Sequence, residues 1–315
     1  MKVVVISGPT ATGKTDTSLR LARELGGEIV NFDSLLLYKE ITIGTAKPTQ
    51  EEQGQIPHHM IDVASIAKPL NAAAYAKMAI PLIEKLHKEN KLVFLVGGSG
   101  FYLQALLNGM YDSPTTSIEI TQKSDSLYSK EGITPFLEIL KNSDPASFDR
   151  YHENDHYRVR RAVEHFWSTG SRLSEARVLK DQDNQSRQES NIHGWNVLHI
   201  HLDVPKEEHL EIIKQRAKKM LSVGLIQEVR ELLDQGFTGQ EKPLQSIGYK
   251  EVIEFLNGGF SSEEQCLERI VISTRQLAKS QRTWFNRVSG KLTFHPLSDQ
   301  TLILETSRKF STLKG

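Results

Sequence analysis

Residues Gly8-Pro9-Thr10-Ala11-Thr12-Gly13-Lys14-Thr15 complete the pattern G-x-x-x-x-G-K-[ST] directly after the apolar run Val3-Val4-Val5-Ile6. A buried strand entering a glycine-bearing turn, with helix-forming residues from Asp16 to Leu25 behind it, is the context in which this pattern binds phosphate. The loop's N–H groups converge on phosphate oxygens, the helix dipole favours negative charge, Lys14 adds a cation, and the Thr15 hydroxyl can hold Mg2+. By itself the loop specifies a phosphate or pyrophosphate ligand, with a kinase or nucleotide triphosphatase as the default chemistry. Those enzymes usually carry an acid at the end of a second apolar strand, whereas Leu92-Val93-Phe94-Leu95-Val96 ends in Gly97-Gly98. The strand-end acid near the loop is Asp33, after Glu28-Ile29-Val30-Asn31-Phe32. A carboxylate there can ligate Mg2+ through water, cap the next turn, or accept a proton from a nucleophile.

The elements that must position these groups alternate along the first hundred residues. The pattern predicts strands at 3–7, 28–31 and 92–96, with helices at 14–25 and about 70–89. Such alternation specifies an α/β fold, a parallel sheet of the P-loop NTPase-like kind with helices on both faces. Ligands of such sheets bind beyond the carboxyl ends of the strands, where the phosphate loop, Asp33-Ser34 and Gly97-Gly98-Ser99-Gly100 all fall. From about Ser113 a polar stretch to Lys130 gives way to helical periodicity up to about Glu175, then to a Gln/Asp/Asn-rich loop at 181–191. This reads as a small helical domain, 113–192, inserted into a core formed by 1–112 and 193–315. Val197 to Asp203 returns to the sheet, and Pro205 opens a helical remainder.

Lysine plus arginine and aspartate plus glutamate each total 39, so net charge points to no polyanion and the distribution must decide. Arg269 to Ser298 contains no acid, and within it Arg275, Lys279 and Arg282 lie along one helical face. Arg158, Arg160 and Arg161 form a second cluster. Two basic clusters beside a phosphate loop favour nucleic acid over a merely solvated face. A single cysteine, Cys266, excludes a disulfide framework and a multi-cysteine zinc site. No signal peptide or membrane span is visible, so a cytoplasmic protein, a monomer without membrane partners, is expected. His58, His59 and His152 have no metal-ligand spacing.

Taken together, these segments resemble the tRNA dimethylallyltransferases. The phosphate loop, Asp33-Ser34-x-x-x-Tyr38, Ile43-Gly44-Thr45-Ala46-Lys47-Pro48, Pro57-His58-His59-Met60-Ile61-Asp62 and Leu95-Val96-Gly97-Gly98-Ser99-Gly100-x-Tyr102 stand in that family's order. Asp144-Pro145-Ala146, the run from His152 to Glu164, Gly248-Tyr249 and Arg275-Gln276-Leu277-Ala278-Lys279-x-Gln281-x-x-Trp284 continue the resemblance to about residue 287. It implies transfer of a dimethylallyl group from dimethylallyl diphosphate to N6 of adenosine 37, in the anticodon stem-loop of tRNAs reading codons that begin with U. The leaving group is then pyrophosphate, which a phosphate loop with Mg2+ can hold without phosphoryl transfer.

The resemblance also implies roles by residue. Asp33 is the general base, Lys14, Thr15 and Ser99 complete the catalytic set, and the loop Gly8–Thr15 with Arg216 holds the diphosphate. Asp33, Ser34, Leu35, Leu36 and Ser99 line the path of the flipped base. Thr121, Tyr157, Arg158, Val159, Arg160, Arg161, Arg275, Lys279, Gln281 and Arg282 contact tRNA. Trp284 is read as a packing residue. The chain departs from the pattern at Ser99, where many members have Thr, at Leu36, where many have Gln, and near Thr121, where an Arg is common and Lys123 is the nearby cation. An adenylate prenyltransferase and a small-molecule P-loop kinase are the alternatives.

Overall fold

A computed structural model describes residues 1–109, 116–178 and 193–313. The chain divides into two compact units, one formed by Met1–Leu107 with His193–Gly315 and one by Asn108–Ile192. The Gln/Asp/Asn-rich loop expected at 181–191 and the domain border expected at 112/113 lie outside the described residues.

In the first unit, strands β1 (Lys2–Ser7), β2 (Gly27–Asn31), β3 (His58–His59), β4 (Leu92–Gly97), β5 (Asn196–Leu202) and β6 (Leu292–Phe294) form one sheet ordered β3-β2-β4-β1-β5-β6. Every pairing is parallel. Alternate residues of β1 feed opposite faces, as the period of a strand requires: Val3 and Val5 join one apolar cluster, Val4 and Ile6 another. The first face is covered by α3 (Ala72–Lys88), through Tyr75, Ala79 and Ile83, and by α4 (Gly100–Asn108), through Leu103 and Leu106. The second is covered by α1 (Lys14–Leu25) and a C-terminal helix that supplies Ile303 and Phe310.

Register places the chemistry. Ser7 pairs with Gly97 on one side and His201 on the other, and Asn31 pairs with Val96, so four strands end together at one edge. The phosphate loop leaves that edge after Ser7, and Asp33 stands two residues beyond Asn31.

The described core strands and helices fall close to the expected ranges, but three short or polar elements correct the reading. β3 and β6, of two and three residues, lie at the sheet edges and break the expected loop and all-helical remainder. A further helix, α2 (Gln50–Gln55), starts at a Thr49–Glu52 capping box.

The second unit is helical. The stretch read as a polar border holds helix α5 (Ile118–Glu131), and α6 (Thr134–Ser143), α7 (Pro145–Arg150) and α8 (His156–Thr169) follow. Phe136, Leu140, Val159, Ala162, Val163 and Leu173 form its core. In the first unit the chain continues through α9 (Lys206–Ser222), α10 (Leu225–Asp234), α11 (Tyr249–Leu256), α12 (Glu263–Phe285) and α13 (Gln300–Thr312). Four of these, α9 to α12, enclose a separate apolar cluster around Tyr249 and Ile270. Among the described residues no helix is long and apolar enough to cross a membrane.

Beneath the phosphate loop, the Ser7 hydroxyl lies 2.7 Å from His199 Nε2 and 2.9 Å from His201 Nδ1. Burial lowers both imidazoles from 6.5 to about 4, with neighbouring cations adding to the effect. A lowered folded-state pKa means that the unfolded chain binds more protons, so the contribution is present above about pH 6.5 and lost as pH falls toward 4. Each ring should therefore cost on the order of 3 kcal/mol of stability across that window. Thermal unfolding from neutral to acid pH should show a falling midpoint whose slope is reduced in His201→Gln. A His201→Gln slope equal to that of the unaltered chain contradicts the assignment.

Candidate active site

One cavity of about 360 Å³ opens at the carboxyl edge of the sheet. It is lined by Thr10 to Asp16 of the phosphate loop and α1, by Asn31, Asp33 and Leu36 after β2, and by Thr45 and Ala46. Glu208 and Arg216 of α9 add to its charged lining, and Ile29, Ile61 and Val96 give it apolar wall. Thus Lys14, Thr15, Asp33, Leu36 and Arg216, separated by up to two hundred residues in sequence, share one space.

The loop is held from within and from outside. Thr12 Oγ1 donates to the Pro9 carbonyl at 2.9 Å, and Lys14 Nζ donates to the Gly8 and Pro9 carbonyls at 3.1 and 2.7 Å. Burial pushes the Lys14 ammonium down from 10.5 to about 8; the Asp33 carboxylate opposes that shift and the Arg216 guanidinium reinforces it. Arg216 is likewise lowered by burial and raised by Asp33. Two desolvated cations, Lys14 and Arg216, thus stand near the Asp33 carboxylate, with Asp16 and Glu208 elsewhere on the cavity wall.

Asp33 is fixed by Asn31. The Asn31 amide accepts from Asp33 N–H at 2.8 Å and donates to the Asp33 and Met60 carbonyls at 3.0 and 2.9 Å. Asp33 Oδ1 accepts from Leu35 N–H at 3.2 Å, so the capping role is realised while the carboxylate still faces the cavity. Ser99 Oγ accepts from Ser34 N–H at 3.1 Å and lies 3.2 Å from Ser34 Oγ, tying the Gly-Gly-Ser turn to the Asp33 segment. Leu36 reaches the cavity; Ser34, Leu35 and Ser99 flank it, with Leu35 packed on the Tyr249 cluster.

A second loop is locked over the cavity by residues to which sequence reasoning gave no role. The Glu228 carboxylate accepts N–H groups from Thr42, Ile43 and Gly44 and the Tyr249 hydroxyl, which itself accepts from Gly44 N–H at 3.1 Å. A Cβ at Gly44 would lie 2.4 Å from the Tyr249 ring, so the approach requires glycine. Lys47 anchors the other end through the Tyr38 carbonyl at 2.9 Å and Asp62 at 2.5 Å. The family-like segments Ile43–Pro48 and Gly248-Tyr249 are thus two sides of one clasp, visible in sequence as motifs but not as partners.

Several expected tRNA contacts are placed otherwise. Val159 is fully buried in the core of the helical unit, because with Ala162 and Val163 it forms that helix's apolar stripe, so its side chain cannot reach RNA. Arg160 is engaged with Ser124 at 3.0 Å and with Asp125, and lies 4.6 Å over the Tyr128 ring. Arg161 bonds Glu164 at 2.7 Å and Thr116. Tyr157, 67% exposed, and Arg158, paired at 2.5 Å with Asp155, remain at the surface. Thr121 Oγ1 turns back to the Ser117 carbonyl at 3.0 Å, and Lys123 stacks on Trp167.

On α12, Arg275 and Lys279 are exposed, whereas Gln281 and Arg282 are turned into the fold. Gln281 accepts Thr10 N–H at 2.8 Å and donates to the Gly98 carbonyl at 3.0 Å. Arg282 binds Asp203, at 2.8 and 3.1 Å, and His209 at 2.7 Å. Both side chains are engaged in internal ties. Trp284 packs on the sheet's apolar face with its ring edge-on to Phe285, and a Cβ at Gly100 would sit 2.3 Å from it. Among the described residues no cluster of His, Cys, Asp and Glu could hold a metal.

A phosphate loop facing a carboxylate and an arginine across one cavity defines an α/β enzyme built to take a phosphorylated substrate. The model of the IPP transferase family matches residues 36–288. The chain is 38% identical to tRNA dimethylallyltransferase 1 of Pelobacter propionicus, over 99% of this chain and 95% of that one. With tRNA dimethylallyltransferase 2 of Syntrophus aciditrophicus it shares 34%, over 98% and 96%. It resembles the crystal structure of the tRNA isopentenylpyrophosphate transferase of Bacillus halodurans at TM-score 0.70 and 30% identity, covering 98% of this chain and 95% of that one. A eukaryotic dimethylallyltransferase acting on tRNA superposes at TM-score 0.73 and 30% identity, covering 90% and 69%. The chain belongs to the IPP transferase family, and with it to the prenyltransferases.

Lys14 yields a binding prediction. A diphosphate beside it stabilises the charged form and raises its pKa, so binding takes up protons where the free group is part neutral. Affinity should be fully present below about pH 8 and weaken as pH rises through it. Calorimetry with dimethylallyl diphosphate in buffers of different ionisation enthalpy should record this uptake, and Lys14→Ala should abolish it. Equal proton release or uptake by both proteins refutes the coupling.

Proposed function

We propose that the chain transfers the dimethylallyl group of dimethylallyl diphosphate to N6 of adenosine 37 in tRNAs reading codons that begin with U. The observation that carries this reading is the single cavity in which Lys14 and Arg216 face Asp33. A diphosphate held by the cations presents an allylic carbon toward the side on which a carboxylate can receive the amine proton. As the C–O bond breaks, the electron pair leaves with pyrophosphate, whose growing charge Lys14, Arg216 and the loop amides neutralise. The N6 lone pair forms the new C–N bond, and the proton passes to Asp33. An exocyclic amine conjugated with its ring needs that help, and a positioned base contributes about 10²–10⁴-fold.

Mg2+ fits the donor set, since Thr15 brings a hydroxyl oxygen to the cavity and the diphosphate itself would supply the others. When bound it would add positive charge at the leaving group. Adenosine 37 must leave its stack to reach Asp33, at a cost of a few kcal/mol recovered in contacts around the flipped base. Leu36 at the cavity gives that base apolar contact. Exposed Tyr157, Arg158, Arg275 and Lys279 are the surface groups offered to the anticodon arm, with Arg161 retaining partial access. A cytoplasmic monomer is the form proposed.

The test is incubation with dimethylallyl diphosphate, Mg2+ and either unmodified tRNA or AMP. N6-alkylated adenosine should appear in tRNA. Alkylation of AMP alone would instead identify an adenylate prenyltransferase, and phosphoryl transfer from ATP a kinase. Asp33→Ala should lower single-turnover rate by about 10²–10⁴-fold with little change in tRNA affinity; a normal rate with weakened tRNA binding refutes the base. Arg158→Ala combined with Arg161→Ala should flatten the salt dependence of tRNA binding by about one to two units of slope, and an unchanged slope would mark these as solvated charges.

A further inference from the structure

Thr10 is gripped by side chains at both of its backbone groups. Its N–H donates to Gln281 Oε1 at 2.8 Å, and its carbonyl lies 2.8 Å from His209 Nε2. His209 stands in the first turn of α9, 2% exposed, and its other nitrogen, Nδ1, is 2.7 Å from an Arg282 amino group. Arginine can only donate. Nδ1 is therefore the acceptor, and the proton of a neutral ring must sit on Nε2, directed at the Thr10 carbonyl. Arg282 is in turn fixed by both oxygens of Asp203 and by the Val204 carbonyl at 3.2 Å, beyond the end of β5.

We propose that His209 is a positioning residue of the diphosphate cradle, its tautomer set by Arg282 and its N–H fixing the Thr10–Ala11 peptide. In a planar trans peptide the carbonyl and the following N–H point in opposite directions. Capture of the Thr10 carbonyl by His209 thus turns the Ala11 N–H away from α9, leaving it for a phosphate oxygen. Ala11 has φ +63°, a left-handed conformation that an alanine adopts only against steric cost. The grip on the preceding residue offsets that cost and keeps the loop shaped for an anion before one arrives. Burial and the adjacent Arg282 also keep the imidazole neutral, against the smaller pull of the Thr10 carbonyl and Asp203. The inference rests on the reading of the loop as a diphosphate holder and extends it to a residue outside the loop motif.

Long-range 1H–15N correlation spectra of the unaltered chain should show His209 protonated at Nε2 alone. His209→Ala should weaken dimethylallyl diphosphate binding by about tenfold, the loss of one buried hydrogen bond and its loop restraint. Affinity for tRNA should be unchanged. His209→Gln, which offers an acceptor to Arg282 and an N–H to Thr10, should recover most of the diphosphate affinity. A proton on Nδ1, or His209→Ala binding dimethylallyl diphosphate as the unaltered chain does, overturns the positioning role while leaving the cradle. Failure of the unaltered chain to bind dimethylallyl diphosphate overturns the cradle reading itself. Where His209→Ala does not fold, the tautomer and His209→Gln decide the matter.

Discussion

The constraint on which the site depends is the gathering of two cations, Lys14 and Arg216, out of water beside the Asp33 carboxylate. Lys14 and Arg216 both lose hydration at the cavity, and each disfavours the other's charge, while Asp33 is the carboxylate that both of them sense. Isolated buried charges are costly, and proteins tolerate them where a partner or a ligand completes the balance. Here part of the balance is provisional. Lys14 spends its hydrogens on the Gly8 and Pro9 carbonyls of its own loop, contacts that a diphosphate oxygen would replace with stronger charge-assisted ones. The cavity is thus selective for an anion by what it leaves incomplete.

Keeping such a site open requires a frame that cannot relax onto it. The frame comes from elements remote in sequence: α12 ties Thr10 to Gly98 through Gln281, Arg282 bridges the end of β5 to α9, and Glu228 with Tyr249 pins Thr42 to Gly44. Each tie is a partly or fully buried polar group satisfied on several sides, which is the condition under which polar networks rigidify rather than weaken a fold. The Glu164 carboxylate does the same work in the helical unit, receiving Ser124 and Arg161 and thereby holding two helices in place.

Legibility in the sequence followed the range of the physics. The phosphate loop, β1, β2, β4 and the helices beside them could be read because apolar runs and turn residues are local signals. The two-residue β3 and three-residue β6 are edge strands whose existence depends on a neighbour, and they leave no period to detect. Helix α5 hid in a polar stretch because it buries little beyond Ser124, so its apolar stripe is thin. Of the site, the phosphate loop, Asp33, Leu36 and Arg216 were read from the sequence and share the cavity. Those that shape it were not: His209 and Asp203 carry no motif, and Glu228 lies 184 residues from the Gly44 N–H group it holds.

The arginine clusters show why charge alone is a poor guide to contact. Sequence reveals a cation but not its counter-charge, and Arg282 meets Asp203 across 79 positions while Arg160 meets Asp125 across 35. Val159 is the instructive case in the other direction, since its spacing to Ala162 and Val163 is the i, i+3, i+4 pattern of a buried stripe and was available from the sequence. A run of basic residues on one helix therefore has to be divided by face before it is read as a binding surface. On α8 that division leaves Tyr157 and Arg158 facing solvent, on α12 it leaves Arg275 and Lys279, and in both helices the inward-facing members build the scaffold.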